Sequence, residues 1–450
     1  MVLASRRLVA KALCFKWPLS CLIFTGMLMI VGCESEEPPL AKIHPLYENY
    51  DEYFNALTSL GDFNGVILVE QRGEPVILKA YNISTDTTGS LHVTTTSQFD
   101  IHSVSKLMAH YLFLQLVGKG VLSTKDKLSR FIPDFPRGDE ISMQMLIEHK
   151  SGLPRELTHI DGPAIDLDVE QMVEQIKHEE LLFEPGSEVQ YSNLGYQLLY
   201  YIIGRVNGSA FEDFLANALF IPLRMNSSGA HFHDRQNNLR ALAANHEVDG
   251  DTIVWVENIL DDEFKQARIY STAEDLIRLL REFQKEPLAH GLAEDSIIQH
   301  SGGSDGVRAH VYCDLKSQSS FVLLSNFDGI PFNKTIADMI NILEGNSYDI
   351  PKAINRVPVA IEPPLLPLYI GNYHFADMND LALRVALEGD RLIVFQEDEL
   401  IANLMAENDS VFFADPSAPE SFEFVANDKG SYNVLMGWRG VKLLGVREEN

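Results

Sequence analysis

Phe99-Asp100-Ile101-His102-Ser103-Val104-Ser105-Lys106-Leu107-Met108-Ala109-His110-Tyr111-Leu112-Phe113-Leu114-Gln115-Leu116-Val117 is the stretch on which the fold turns. From Leu107 onward it is apolar nearly all round, so residues 103–117 predict a buried helix. Ser103 would stand in its first turn, and Lys106, three residues on, would share its face. A serine three residues before a lysine is common by chance, so the setting has to supply the meaning. Lys106 has no Asp or Glu within helical reach. Burial and the positive end of the helix dipole both disfavour the ammonium form. A lysine so placed can take a proton from a neighbouring hydroxyl. This segment alone also allows a lysine that snorkels from the helix start to solvent.

Around that helix the pattern changes from strands to helices and back. Leu46, Tyr50, Tyr53, Phe54, Leu57 and Leu60 recur at helical spacing. Val66–Val69 and Val76–Leu78 flank the turn cluster Gln71-Arg72-Gly73-Glu74-Pro75 and predict a hairpin over 63–82. Helices are predicted over 193–206 and 272–284, and strands over 296–300, 307–315 and 319–325. That order favours an α+β fold, an antiparallel sheet made from both ends of the domain, flanked by helices and carrying a mostly helical subdomain. Pro351, Pro358, Pro363, Pro364 and Pro367 then mark a linker. Beyond it, strand patterns at 381–385, 392–395, 411–413, 422–425 and 432–435 predict a small C-terminal β-barrel.

Two further triplets bear on Ser103 and Lys106. Tyr191-Ser192-Asn193 follows Phe183-Glu184-Pro185-Gly186 and opens a helix; His300-Ser301-Gly302-Gly303 ends a strand. A tyrosine can share a proton with Lys106 or relay one to a leaving group, and Asn193 can hold a substrate amide. Glycines at a strand end let backbone N–H groups approach a substrate closely. Tyr47-Glu48-Asn49, Tyr53-Phe54-Asn55 and Lys150-Ser151-Gly152 fit the same triplets but fall in the wrong order.

The ordered set Ser103-x-x-Lys106, Tyr191-x-Asn193 and His300-Ser301-Gly302 resembles the serine β-lactamase and penicillin-binding-protein family, including class C β-lactamases, D-alanyl-D-alanine carboxypeptidases and related esterases. The flanks resemble it too: Phe99 to Ser103, Leu146-Ile147-Glu148-His149-Lys150-Ser151-Gly152-Leu153-Pro154, Phe183 to Gly186, and Ser271-Thr272-Ala273-Glu274-Asp275-Leu276. The resemblance spans about residues 50–345. It implies a β-lactamase/transpeptidase-like fold and an acyl-enzyme at Ser103, with Lys106 and Tyr191 as acid and base and Asn193 orienting the substrate. The N–H groups of Ser103 and Gly303 would form the oxyanion hole. His300 stands where true β-lactamases carry lysine, a fixed cation for the substrate carboxylate; an imidazole is mostly neutral at pH 7. Arg308 is the candidate replacement. Arg268, in Ala267-Arg268-Ile269-Tyr270, replaces the glycines usual before Ser271-Thr272 and could reshape the pocket. The expected substrate is an amide or peptide of the D-amino-acid kind. A small-ester esterase or weak β-lactamase is the alternative, and a non-catalytic binding protein keeping the fold is the sharply different one.

The N-terminus reads as export. Arg6, Arg7, Lys11 and Lys16 precede an apolar run from Trp17 to Gly32, shorter than the roughly 20 residues that span a bilayer. Ile30-Val31-Gly32-Cys33 resembles the bacterial lipobox, in which the cysteine is acylated. The expected organisation is a signal peptide 1–32, a tether 33–45, the hydrolase domain 46–350, a linker 351–367 and the barrel 368–450. The protein would be a lipoprotein on a periplasm-facing membrane surface, the outer membrane being suggested by Glu34, and touching the membrane only through its lipid. Cys14 and Cys21 would leave with the signal, so Cys313 has no partner in the chain. The formal charge of −28 argues against nucleic-acid binding. No Cys/His spacing suggests zinc, His231-x-His233 reads as a surface pair, and no cofactor is expected. The barrel shows no chemical motif, and oligomeric state is not legible.

Overall fold

The structure is a computed structural model that describes residues 43–84, 90–159, 167–230, 241–249, 252–256, 268–361, 364–376, 381–418, 420–438 and 441–448. The signal, Cys33, nearly all of the tether, and His231 and His233 lie outside the described residues.

Five strands make the central sheet: β1 (Gly65–Gln71), β2 (Glu74–Tyr81), β3 (Ile297–Ser304), β4 (Val307–Asp314) and β5 (Ser319–Ser325), in the order β2-β1-β5-β4-β3. Every neighbouring pair is antiparallel, and β1 lies against β5 with Gly65 opposite Ser325. The first and last strands of the domain therefore meet at the sheet's middle, as expected. Arg72 and Gly73, both left-handed (φ 54° and 78°), turn β1 into β2. Side chains of β5 alternate between two apolar layers. Phe321 and Leu323 pack beneath helix α1 (Tyr47–Leu60) and the helix Phe332–Glu344; Val322 and Leu324 join the larger core on the other face.

That larger core is organised by α2 (Ser105–Gly118), α3 (Asn193–Asn207) and α4 (Ala273–Lys285). Helix α2 is buried on most of its surface, as its all-round apolar sequence requires. It starts two residues later than expected. His102–Val104 form a 3₁₀ turn that opens on the left-handed His102 (φ 43°), so Ser103 precedes the α-helix. Thr272 caps α4 by accepting from Asp275 N–H, while the Asp275 carboxylate accepts from Ser227 N–H and Ser228 Oγ. The Ser271-Thr272…Asp275 motif is thus a helix cap.

Among the described residues, 371–447 form a nine-stranded antiparallel sheet whose two edge strands, Glu399–Asn403 and Met405–Ala406, are separated in the chain only by Leu404. The sheet curls into a nearly closed barrel around Tyr369, Tyr373, Phe412, Phe424 and Val434. The proline-rich segment before it is bonded to it: Arg356 N–H donates to Pro416 O and Val359 N–H to Ala406 O.

Candidate active site

The segment His149–Glu156 brings the tyrosine triplet to the serine. His149 is left-handed (φ 56°), Gln190 N–H donates to its carbonyl, and Ser192 N–H donates to its Nδ1. Asn193 N–H donates to Arg155 O. Ser192 caps α3 by accepting from Gly195 N–H and gives its own proton to Pro154 O. The His149 ring lies 4.5 Å from that of Tyr191.

At the centre, Ser103 Oγ accepts from Tyr191 OH at 2.7 Å and from Lys106 Nζ at 3.0 Å. Lys106 is 6% exposed, and its Nζ also donates to Asn193 Oδ1 at 2.8 Å. Asn193 Nδ2 donates to Glu156 Oε1. A carboxylate only accepts, so the Asn193 Nδ2 must face Glu156 and its Oδ1 must face Lys106. Burial lowers the Lys106 pKa to about 8; Glu156 pulls it up and Arg155 pushes it down. Burial raises the Tyr191 pKa, keeping the phenol protonated as a donor. Lys106 Nζ also lies 5.0 Å from the Tyr191 ring centroid and 5.5 Å from that of Tyr196.

The other expected residues divide. His300 Nδ1 faces Ser301 O at 2.7 Å, so its proton sits on Nδ1 and Nε2 carries a bare lone pair. Burial lowers its pKa to about 4, and Lys106 pushes the same way, so the ring is neutral at pH 7. Ser301 Oγ meets His310 Nδ1 at 2.9 Å. Gly302 packs against the nucleophile turn: a Cβ there would touch Ile101 O and come within 2.9 Å of Ser103 N. Gly303 pairs with Arg308 across the β3–β4 turn. Arg308 donates to Ser304 O and Val307 O and lies 3.6 Å from Asp328. Arg268 pairs with Asp100, donating through Nε at 2.8 Å and also through a terminal nitrogen. Cys313 is unpaired and buried in the core.

His149, Arg155 and Glu156 were not among the expected site residues. They lie in or just after the Leu146–Pro154 motif, but their contacts with Tyr191 and Asn193 cross about 40 residues of chain.

A serine hydroxyl shared by a buried lysine and a protonated tyrosine, on a sheet-and-helix frame of this topology, defines a serine hydrolase. The chain belongs to the beta-lactamase family, whose model matches residues 54–294. Penicillin-binding protein 4* of Bacillus subtilis (strain 168) is 24% identical over 409 residues, covering 80% of this chain and 90% of that protein. The octameric penicillin-binding protein homologue from Pyrococcus abyssi superposes with a TM-score of 0.60 at 16% identity, over 89% of this chain and all of that one. D-amino acid amidase from Ochrobactrum anthropi SV3 gives 0.56 at 18%, over 66% and 98%. The structural likenesses show the fold. Among the described residues, no helix is long and apolar enough to cross a membrane.

Proposed function

We propose that this hydrolase forms an acyl-enzyme at Ser103 and cleaves amide bonds in D-amino-acid peptides of the cell wall. The carrying observation is the Lys106–Ser103–Tyr191 geometry. Neutral Lys106 accepts the Ser103 proton as Oγ attacks the carbonyl carbon. Negative charge develops on the carbonyl oxygen, where the N–H groups of Ser103 and Gly303 receive it. Tyr191 OH protonates the departing nitrogen, and Lys106 returns the proton to Tyr191. Water, deprotonated by the same pair, then attacks the ester and frees Ser103. Asn193, locked between Lys106 and Glu156, orients the scissile group.

A relative named for penicillin binding and a fold neighbour that is a D-amino acid amidase support this substrate class. So does the N-terminal lipobox pattern, which would anchor the enzyme through acylated Cys33 in the cell envelope, facing the periplasm. A second reading, hydrolysis of small esters, is favoured by neutral His300, since an ester needs no carboxylate anchor. A carboxylate would have to compete with Asp328 for Arg308.

A fluorophosphonate or labelled penicillin should modify Ser103, located by peptide mass spectrometry; folded protein that takes neither probe would refute the hydrolase reading. With one preparation, a D-Ala-D-Ala peptide should be turned over with a higher kcat/KM than a chromogenic cephalosporin or short p-nitrophenyl esters. Preference for the esters would replace the peptide reading.

A further inference from the structure

Beside the reacting groups lies a second polar cluster for which the reaction steps have no use. His102 precedes the nucleophile directly, and its backbone is left-handed (φ 43°), a conformation that few residues other than glycine adopt. A strained residue beside a reacting group points to a task for its side chain. The ring lies with Nε2 2.9 Å from Ser304 Oγ and 3.2 Å from an Arg268 terminal nitrogen. Nε2 also lies 3.4 Å from Asp100 Oδ2, so the ring edge is held between Ser304, Arg268 and Asp100. Burial lowers the His102 pKa to about 4, so this arrangement holds at neutral pH.

Behind the ring, Arg268 is held by Asp100, which is 1% exposed. Asp100 Oδ1 accepts from His102 N–H at 3.0 Å, fixing the left-handed turn as well. Pairing of Asp100 with Tyr270, and of Ile101 N–H with Ile269 O, places Arg268 at this spot.

The two ends of the His102–Ser304 bond have a common feature. His102 is the residue before Ser103, and Ser304 is the residue after Gly303. The bond therefore ties together the two chain segments whose N–H groups form the oxyanion hole in the proposed reaction. Gly302 lets the same segments touch, and the side-chain bond stops them from parting.

We propose that His102 and Ser304 form a clamp that sets the spacing of the oxyanion hole, with Arg268 and Asp100 holding the His102 ring in place. These are positioning residues. The proposal rests on the acyl-enzyme reading above and adds that part of the transition-state stabilisation is governed from outside the reacting groups.

The test uses the folded full-length protein, with His102→Gly, Ser304→Ala and Ser304→Thr. Glycine accepts the left-handed turn, so His102→Gly deletes the ring without adding strain. His102→Gly and Ser304→Ala should lower kcat by about 10- to 100-fold with KM within twofold, a smaller loss than removal of an oxyanion donor outright. A boronic acid, whose tetrahedral adduct on Ser103 places an oxyanion in the hole, should weaken by the same factor, and a non-covalent product should not. Ser304→Thr keeps the hydroxyl and should restore both readings. Wild-type kcat and boronate affinity in His102→Gly would overturn the clamp, as would equal losses in Ser304→Thr and Ser304→Ala. Wild-type protein that takes no label at Ser103 would instead overturn the hydrolase reading itself.

Discussion

The C-terminal barrel and the cleft at the end of β3 are both built on antiparallel strands, yet they bury opposite chemistry. In the barrel, Tyr369 stacks on Phe424 with ring centroids 4.3 Å apart, and Phe412 meets Phe424 edge-on. Its buried hydroxyls close on backbone carbonyls of the barrel itself, Tyr373 OH on Tyr369 O and Tyr369 OH on Asp409 O. The cleft buries Lys106 and Asp100, half-buries His102, and satisfies them with groups from distant parts of the chain. Tyr191 reaches Ser103 across 88 residues, Arg268 reaches His102 across 166, and Ser304 reaches His102 across 202. Burial in the barrel follows from apolar area and contributes stability. Burial in the cleft costs stability and contributes reactivity, because it is what drives the Lys106 pKa down.

Substitutions should separate the two regimes. Lys106→Met should lower kcat/KM by about 10³-fold or more, since it removes the base from a unit that acts together. The melting temperature should stay the same or rise, because a buried charge is replaced by an apolar chain of similar length. Paired steady-state kinetics and thermal denaturation check both halves. Phe424→Ala should do the reverse. It should destabilise the protein by about 3–5 kcal/mol, read by denaturant titration, while kcat/KM of the folded protein stays within twofold.

The smallest effects sharpen the electrostatic side. Activity that needs neutral Lys106 should rise with pH through about 8. Glu156 raises that pKa and Arg155 lowers it. Glu156→Gln should therefore move the rising limb of kcat/KM to lower pH, and Arg155→Ala should move it to higher pH, each by a fraction of a pH unit. Shifts of the same sign in both variants would break the assignment of the limb to Lys106.

The same contrast governs how much the sequence revealed. Where partners are close in the chain, reading was good. The hairpin over 63–82 and the strand 319–325 are present, and five barrel strands appear where alternating apolar residues placed them. Strands Gly371–Phe375, Glu399–Asn403, Met405–Ala406 and Val441–Arg447 were not anticipated; each is defined by pairing with its neighbour. In the cleft, residue types and chain order identified Ser103, Lys106, Tyr191 and Asn193, which the structure brings together. Glu156 escaped because the relevant distance runs through space: within helical reach of Lys106 there is no acid, and the carboxylate arrives from another loop. His102 escaped because nothing in its local sequence announces a left-handed backbone or a bond to Ser304. Arg268 was noticed as a departure, and its place beside Asp100 required the strand pairing of residues 99–100 with 270–271.

The central claim is that a buried, readily neutralised Lys106 activates Ser103. The most direct measurement is the pH dependence of fluorophosphonate labelling at Ser103, followed by intact-protein mass spectrometry for the wild type and Lys106→Met. The wild-type rate should climb through about pH 8 and level off, with Lys106→Met slower by about 10²-fold or more at the plateau. A wild-type rate that is flat from pH 6 to 10, or Lys106→Met labelling at the wild-type rate, would contradict it.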